Sequence, residues 1–174
     1  MSKLLFSGMV AHNKEEFLHK VRTISRRLGI NPNWLMLVMR KESGLNHRAV
    51  NSITNATGLI QFMPATAAGL GTSVEALRNM SNVEQLDYVE KYYSPYRNRL
   101  RSFYDLYLAT LFPAAIGKPD DWVLQTPRLS ANLIARQNPG LDINSDGVIT
   151  VGEVKNWLTR GLTNEQLNLL KKKQ

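Results

Sequence analysis

Cysteine is absent from the 174 residues. That excludes disulfide frameworks, thiolate zinc sites, iron–sulfur clusters and cysteine nucleophiles. It leaves the compartment open, because a chain of this length can bury a real core without disulfides. Long apolar runs are missing as well: no stretch reaches the ~18 residues that a membrane-crossing helix needs. Near the N-terminus the apolar run from Leu4 to Val10 is broken by Ser7 and Gly8. A secretory signal has about 7–15 continuous apolar residues and a small-residue cleavage site, and this segment fits poorly. Acidic residues are scarce: 14 Asp and Glu stand against 22 Lys and Arg, a net charge of +8. Such an excess favours polyanionic partners, whether nucleic acid, anionic lipid or an acidic cell-wall polymer. The basic residues form no recognised nucleic-acid motif, so no specific nucleic-acid partner is expected. Part of the charge is the tail Lys171, Lys172, Lys173, which reads as a solvated end.

What is present is helical almost throughout. Asn13-Lys-Glu-Glu16 has the form of a capping box, followed by Phe17, Val21, Ile24 and Leu28 at helical spacing and closed by Gly29. Asn31-Pro32 restarts the chain as N-cap and first helical residue. The run Trp34–Met39 is apolar on every side, which predicts a central, buried helix ending near Gly44. Residues 46–58 are polar and irregular, a loop with room for a short hairpin. Ser73 and Ser81 read as N-caps, Pro113 stops a helix holding Leu100 to Leu111, and further helices are expected over 127–136 and from Thr150 and Thr163. The fold class is therefore all-α, mainly helical with at most one short β-hairpin. Residues 1–120 form the main domain, and residues 121–174 a small C-terminal helical portion packed on it.

Glu42 stands out before any family is considered. It closes an otherwise apolar helix, where burial is costly to a carboxylate. The helix C-terminus carries the negative end of the macrodipole, which also disfavours ionisation. Both effects raise the carboxyl pKa, and a carboxyl group still protonated near neutral pH is what a general acid for glycosidic cleavage requires. The plain alternative is an exposed glutamate paired with a lysine.

The residues after Glu42 favour the first reading. Glu42-Ser43-Gly44-Leu45-Asn46 and, beyond the loop, Gly58-Leu59-Ile60-Gln61-Phe62-Met63-Pro64-Ala65-Thr66-Ala67 resemble the lytic transglycosylase family of lysozyme-like folds. The resemblance spans residues 42–67, with Ile60 in place of a methionine. It implies a lysozyme-like fold with Glu42 as acid and base. Ser43 would be a hydrogen-bonding partner near the scissile bond, Gln61 and Met63 would line the cleft, and the backbone of Gly58, Leu59 and Ile60 would position N-acetyl sugars. A tyrosine within an Ala-Tyr-Asn-Ala-Gly-like segment belongs to the family pattern, but here the corresponding stretch, Leu111 to Gly117, has Phe112 and no tyrosine. Tyr104, Tyr107 or a later polar residue would have to take its place.

The implied substrate is bacterial peptidoglycan, cut between N-acetylmuramic acid and N-acetylglucosamine. Inverting hydrolysis needs a second carboxylate about 6.5–9.5 Å away, and no motif ties Asp87, Glu90 or Asp105 to the cleft. A single acid suffices when the muramic C6 hydroxyl is the nucleophile, giving a 1,6-anhydro sugar. Muramidase-type hydrolysis, as in goose-type lysozymes, and a non-catalytic wall-binding module of a phage tail or injection apparatus are the alternatives. Without a leader, such an enzyme would be made in the cytoplasm and reach the wall by release at lysis or on a phage-like particle, whose proteins would then be partners. Catalysis would need no cofactor.

A second motif lies near the C-terminus. Asp142-Ile-Asn144-Ser-Asp146-Gly147-Val148-Ile-Thr150-Val-Gly-Glu153 fits the twelve-residue EF-hand loop. Asp142, Asn144, Asp146, Thr150 and Glu153 would supply oxygen ligands, with Val148 contributing its backbone carbonyl. Bound calcium would be structural. Thr150-x-x-Glu153 is also a capping box that needs no metal, and Asn138-Pro139-Gly140 interrupts the helix expected to enter such a loop. The histidines His12, His19 and His47 lack metal-ligand spacing and read as surface residues.

Overall fold

A run of apolar residues fenced by two strong capping signals forms the central helix. In the computed structural model, which describes residues 1–171 and so leaves Lys172 and Lys173 of the tail outside the described residues, this helix is α2 (Pro32–Ser43). The Asn31 side chain accepts the Asn33 N–H at its start, and Gly44, at φ 64°, ends it in the left-handed conformation that glycine tolerates best. Leu35, Met36, Leu37, Val38 and Met39 are fully buried. Helix α1 (Lys14–Leu28) packs against α2 and presents Phe17, Val21, Ile24 and Leu28 to the core.

Four more helices complete the main body: α3 (Pro64–Gly69), α4 (Val74–Asn79), α5 (Asn82–Tyr93) and α6 (Phe103–Leu111). Ser81 and Glu84 form the reciprocal capping box at the start of α5. α5 lies along α1, and α6 crosses α2. The C-terminal portion adds α7 (Ala131–Gln137), α8 (Val151–Thr159) and α9 (Asn164–Lys171). It is stitched to the body: α8 packs on α6 and α9 on α2, with the Trp34 indole donating to the Leu170 carbonyl at 2.8 Å. Leu124, Ile134, Ile149, Val154, Leu158 and Leu170 share one continuous core with α1 and α2. The fold is all-α, and its β-structure among the described residues consists of isolated bridges such as Val50–Thr57 and Thr57–Phe62 in the expected hairpin region.

Three local expectations fail for physical reasons. Asn13 does not cap α1 with its side chain. It sits at φ 46°, and its amide instead donates to Asn82 Oδ1 at 3.1 Å, tying the start of α1 to that of α5. The helix expected from Pro127 begins at Ala131, because Thr126 and Leu129 close a turn and Ser130 is the working N-cap. His47 is buried rather than on the surface, edge-to-face with His12 at 5.8 Å. No helix of the described residues is long and apolar enough to cross a membrane.

Candidate active site

Glu42 occupies the last turn of α2, so the rigid core fixes its backbone. The residue keeps a partly exposed face while its carboxyl is largely buried. Burial raises the carboxyl pKa from its ordinary 4.5 to about 7, and a hydrogen bond from the Tyr107 hydroxyl opposes this by favouring the anion. Glu42 takes part in none of the ion pairs found among the described residues. Its neighbours are phenols: Tyr107 from α6, and Tyr92 and Tyr93 from α5, whose own ionisation is pushed up by burial and by the glutamate charge. Each phenol is anchored. Tyr92 donates to the Ala109 carbonyl at 2.6 Å. Thr110 gives its single hydroxyl proton to the Leu106 carbonyl at 2.9 Å, so the 2.5 Å contact between Tyr93 and Thr110 Oγ1 has the tyrosine as donor.

Ser43 stitches the helix end to the motif loop. Its hydroxyl lies 2.8 Å from the Leu59 carbonyl and 3.1 Å from that of Met39. The loop has a second, deeper pin in Gln85, a fully buried amide on α5. Its oxygen accepts the Leu59 N–H at 3.1 Å, and its nitrogen donates to the carbonyls of His47 at 2.6 Å and Leu77 at 2.8 Å. Gly58 is the reason this amide can come so close. At φ 86°, a Cβ there would lie 2.5 Å from Gln85 Oε1. Gln61 adopts φ 56° and folds its amide back onto the carbonyls of Ala49, at 3.2 Å, and Gly58, at 3.1 Å. Gly58, Leu59 and Ile60 are buried, whereas Met63 is exposed at the edge of the segment. Gln61, Met63, Thr66, Tyr92 and Thr110 line a shallow hollow of about 40 Å³. Glu42 lines neither this hollow nor the larger ones near Ile30 and His12.

The phenol that hydrogen-bonds Glu42 is Tyr107. Phe112 sits at the end of α6 with its ring 6.3 Å from that of Trp122. Sequence reasoning left Tyr107 among several substitutes. It missed Gln85, although a glutamine beside Leu86 and Val89 on a buried helix face is itself a sign of a polar side chain with a task. The three spare carboxylates are engaged elsewhere. Asp87 pairs with Lys20 at 2.9 Å, Glu90 with Arg27 at 3.2 Å, and Asp105 accepts the Arg101 N–H at 2.9 Å.

The loop 142–153 is arranged around its own backbone. Asp142 accepts the N–H groups of Asp146, at 3.2 Å, and Gly147, at 3.0 Å. Asn144 Oδ1 also accepts the Asp146 N–H at 3.0 Å, and Asp146 accepts that of Val148 at 3.1 Å. Glu153 accepts from Ile143 N at 3.1 Å and Thr150 N at 2.8 Å, completing a capping box at the start of α8. The end of the loop pairs with residues 120–124: Leu124 N–H donates to the Ile149 carbonyl at 2.8 Å and Val151 N–H to that of Trp122 at 3.0 Å. Among the described residues no three His, Asp or Glu side chains are grouped to hold a metal ion.

Comparison with known proteins finds similarity over part of the chain. Residues 20–99, which include Glu42 and the motif loop, match the family model described as the Transglycosylase SLT domain. The all-α architecture is consistent with the lysozyme-like fold of that family. Among particular relatives, the chain is 36% identical over 63 residues to proteins named membrane-bound lytic murein transglycosylase C from Actinobacillus pleuropneumoniae serotypes 5b and 3. The similarity covers 36% of this chain and 17% of each relative, so it reaches one segment of much longer proteins. No solved structure matches the chain.

Proposed function

We propose that this protein cleaves the N-acetylmuramic acid–N-acetylglucosamine bond of peptidoglycan as a lytic transglycosylase, with Glu42 as its single acid and base. The observation that carries this reading is the state of Glu42: a buried carboxyl with a pKa raised to about 7, fed by one phenol and in no ion pair among the described residues. Protonated Glu42 gives its proton to the glycosidic oxygen as the bond from that oxygen to muramic C1 breaks. The resulting carboxylate takes the proton of the C6 hydroxyl while O6 bonds to C1, closing the 1,6-anhydro ring and returning Glu42 to its starting form. Asp87, Glu90 and Asp105 being engaged elsewhere supports a nucleophile that comes from the substrate rather than from water activated by a second carboxylate. Tyr107 would hold the carboxyl in one orientation through both half-reactions. Ser43 and Gln85 would act on the sugar indirectly, by fixing the Gly58–Ile60 backbone.

The net charge of +8 would concentrate the protein on anionic envelopes. Release at lysis, or carriage on a phage-like particle, is the proposed route to the wall. Calcium in loop 142–153 is proposed as a structural ligand: Asp142, Asn144, Asp146, Thr150 and Glu153 offer the hard oxygen donors that this ion prefers, with the Val148 carbonyl as a sixth.

The test is mass spectrometry of soluble products from purified peptidoglycan, run beside Glu42→Gln. Anhydro-muramyl products, reduced by roughly 10²–10⁴-fold in the variant, are expected. Reducing-end muramyl products would mean a hydrolase. Undiminished cleavage by the variant would remove Glu42 from the mechanism, and binding without any cleavage would leave a wall-binding module.

A further inference from the structure

The family match ends at residue 99, yet α8, more than fifty residues later, reaches the acid's surroundings. Trp157 on α8 is the contact. Its ring lies 5.4 Å from that of Tyr107, tilted by 34°. On the same indole, the Lys41 ammonium sits 4.6 Å from the ring centroid, and Lys41 Nζ also donates to the Trp157 carbonyl at 3.1 Å. That carbonyl is in the last turn of α8, where the helix dipole favours a cation. A half-buried lysine is thus held by a π-face and a helix end together.

This matters because Lys41 immediately precedes Glu42, and its four-carbon stem is flexible enough to bring a charge beside the carboxyl. Among the described residues, the groups that face Glu42 are otherwise neutral. They are Tyr107 from α6 and Tyr92 and Tyr93 from α5, while residues 58–63 carry no titratable side chain. Arg40 on α2 is exposed, and Arg160, just beyond α8, acts on Lys41. We propose that Trp157 is a positioning residue for the acid: it holds Lys41 away from the Glu42 carboxyl, and the same ring backs the Tyr107 phenol that Glu42 accepts. The inference rests on Glu42 being the general acid, and it assigns the C-terminal portion a part in the reaction. A lysine released onto the carboxylate would stabilise the anion and leave less of the protonated form.

The experiment reads the carboxyl itself. Protein labelled with ¹³C at glutamate carboxyls is titrated by NMR, the Glu42 signal being identified by its loss in Glu42→Gln. The midpoint in the unaltered protein is expected near 7. In Trp157→Ala it should fall by about 1 unit or more, the size of effect a nearby opposite charge produces. Trp157→Phe should lie close to the unaltered protein, because it keeps a ring face. Adding Lys41→Met to Trp157→Ala should restore the midpoint. Lys41→Met alone, which leaves the α8 contact with Tyr107 in place, should not move it. An unmoved midpoint in Trp157→Ala, failure of Lys41→Met to restore it, or a clear rise in Lys41→Met alone would overturn the proposal. The titration needs no substrate: a protein with these midpoints but without anhydro-muramyl products would keep the Trp157 assignment and lose the transglycosylase reading.

Discussion

Two glutamates sit at opposite ends of helices, and their surroundings make different chemical objects of them. Glu42 is in the last turn of α2, facing the negative end of the helix dipole, buried among phenols and offered one hydroxyl. Glu153 is in the first turn of α8, where it collects the N–H groups of Ile143 and Thr150 and the Thr150 hydroxyl. An anion suits the second place. In the first place, the proton is retained up to about pH 7. The comparison shows how a carboxyl that keeps its proton is marked by the solvating donors withheld from it, and a bracing one by the donors supplied.

The contrast has energetic consequences that can be broken in order of size. Burial raises the Glu42 pKa in the folded state, from 4.5 to about 7. Its contribution to stability is therefore fully present below pH 4.5 and is lost as the pH rises through 7. Glu42→Gln, which has no charge to desolvate, should unfold like the unaltered protein at pH 4 and be more stable by roughly 3 kcal/mol above pH 8. Urea titrations at the two pH values measure this, and a constant difference across that range would refute it. Calcium comes next: at a hundredfold excess over its dissociation constant it should add about 2.7 kcal/mol. Melting curves with calcium and with chelator decide the matter, since identical curves would leave loop 142–153 as a metal-free cap. Glu153→Ala removes the brace and the capping box, for an expected cost of about 1–2 kcal/mol without calcium. The smallest effect is that of Tyr107→Phe. Loss of the bond that favours the Glu42 anion should move the alkaline limb of the pH–rate profile upward, and a downward shift would contradict the assigned hydrogen bond.

Much of the architecture was legible because its signals are local. Asn31-Pro32 and Gly44 bound α2 through backbone preferences that no distant residue can overrule. Asn13 failed as a cap because a distant residue could overrule it: Asn82, sixty-nine positions away, offered its amide a better partner. Glu42 and the Gly58–Met63 segment were readable as a motif, and burial then gave the acid its chemistry. Tyr107, Gln85 and Trp157 were not readable in this way. Each acts across the fold, on Glu42, Leu59 and Lys41 respectively, and a hydrogen bond or ring contact between distant positions leaves no periodicity behind.

The burial of α2 has a consequence for how the protein fails. Glu42 continues a helix whose five apolar residues from Leu35 to Met39 have no contact with solvent. Opening that segment exposes the centre of the core, so the fluctuation that would displace Glu42 is expected in the highest free-energy class of the molecule, close to complete unfolding. Heat should therefore extinguish turnover and tertiary structure at one temperature.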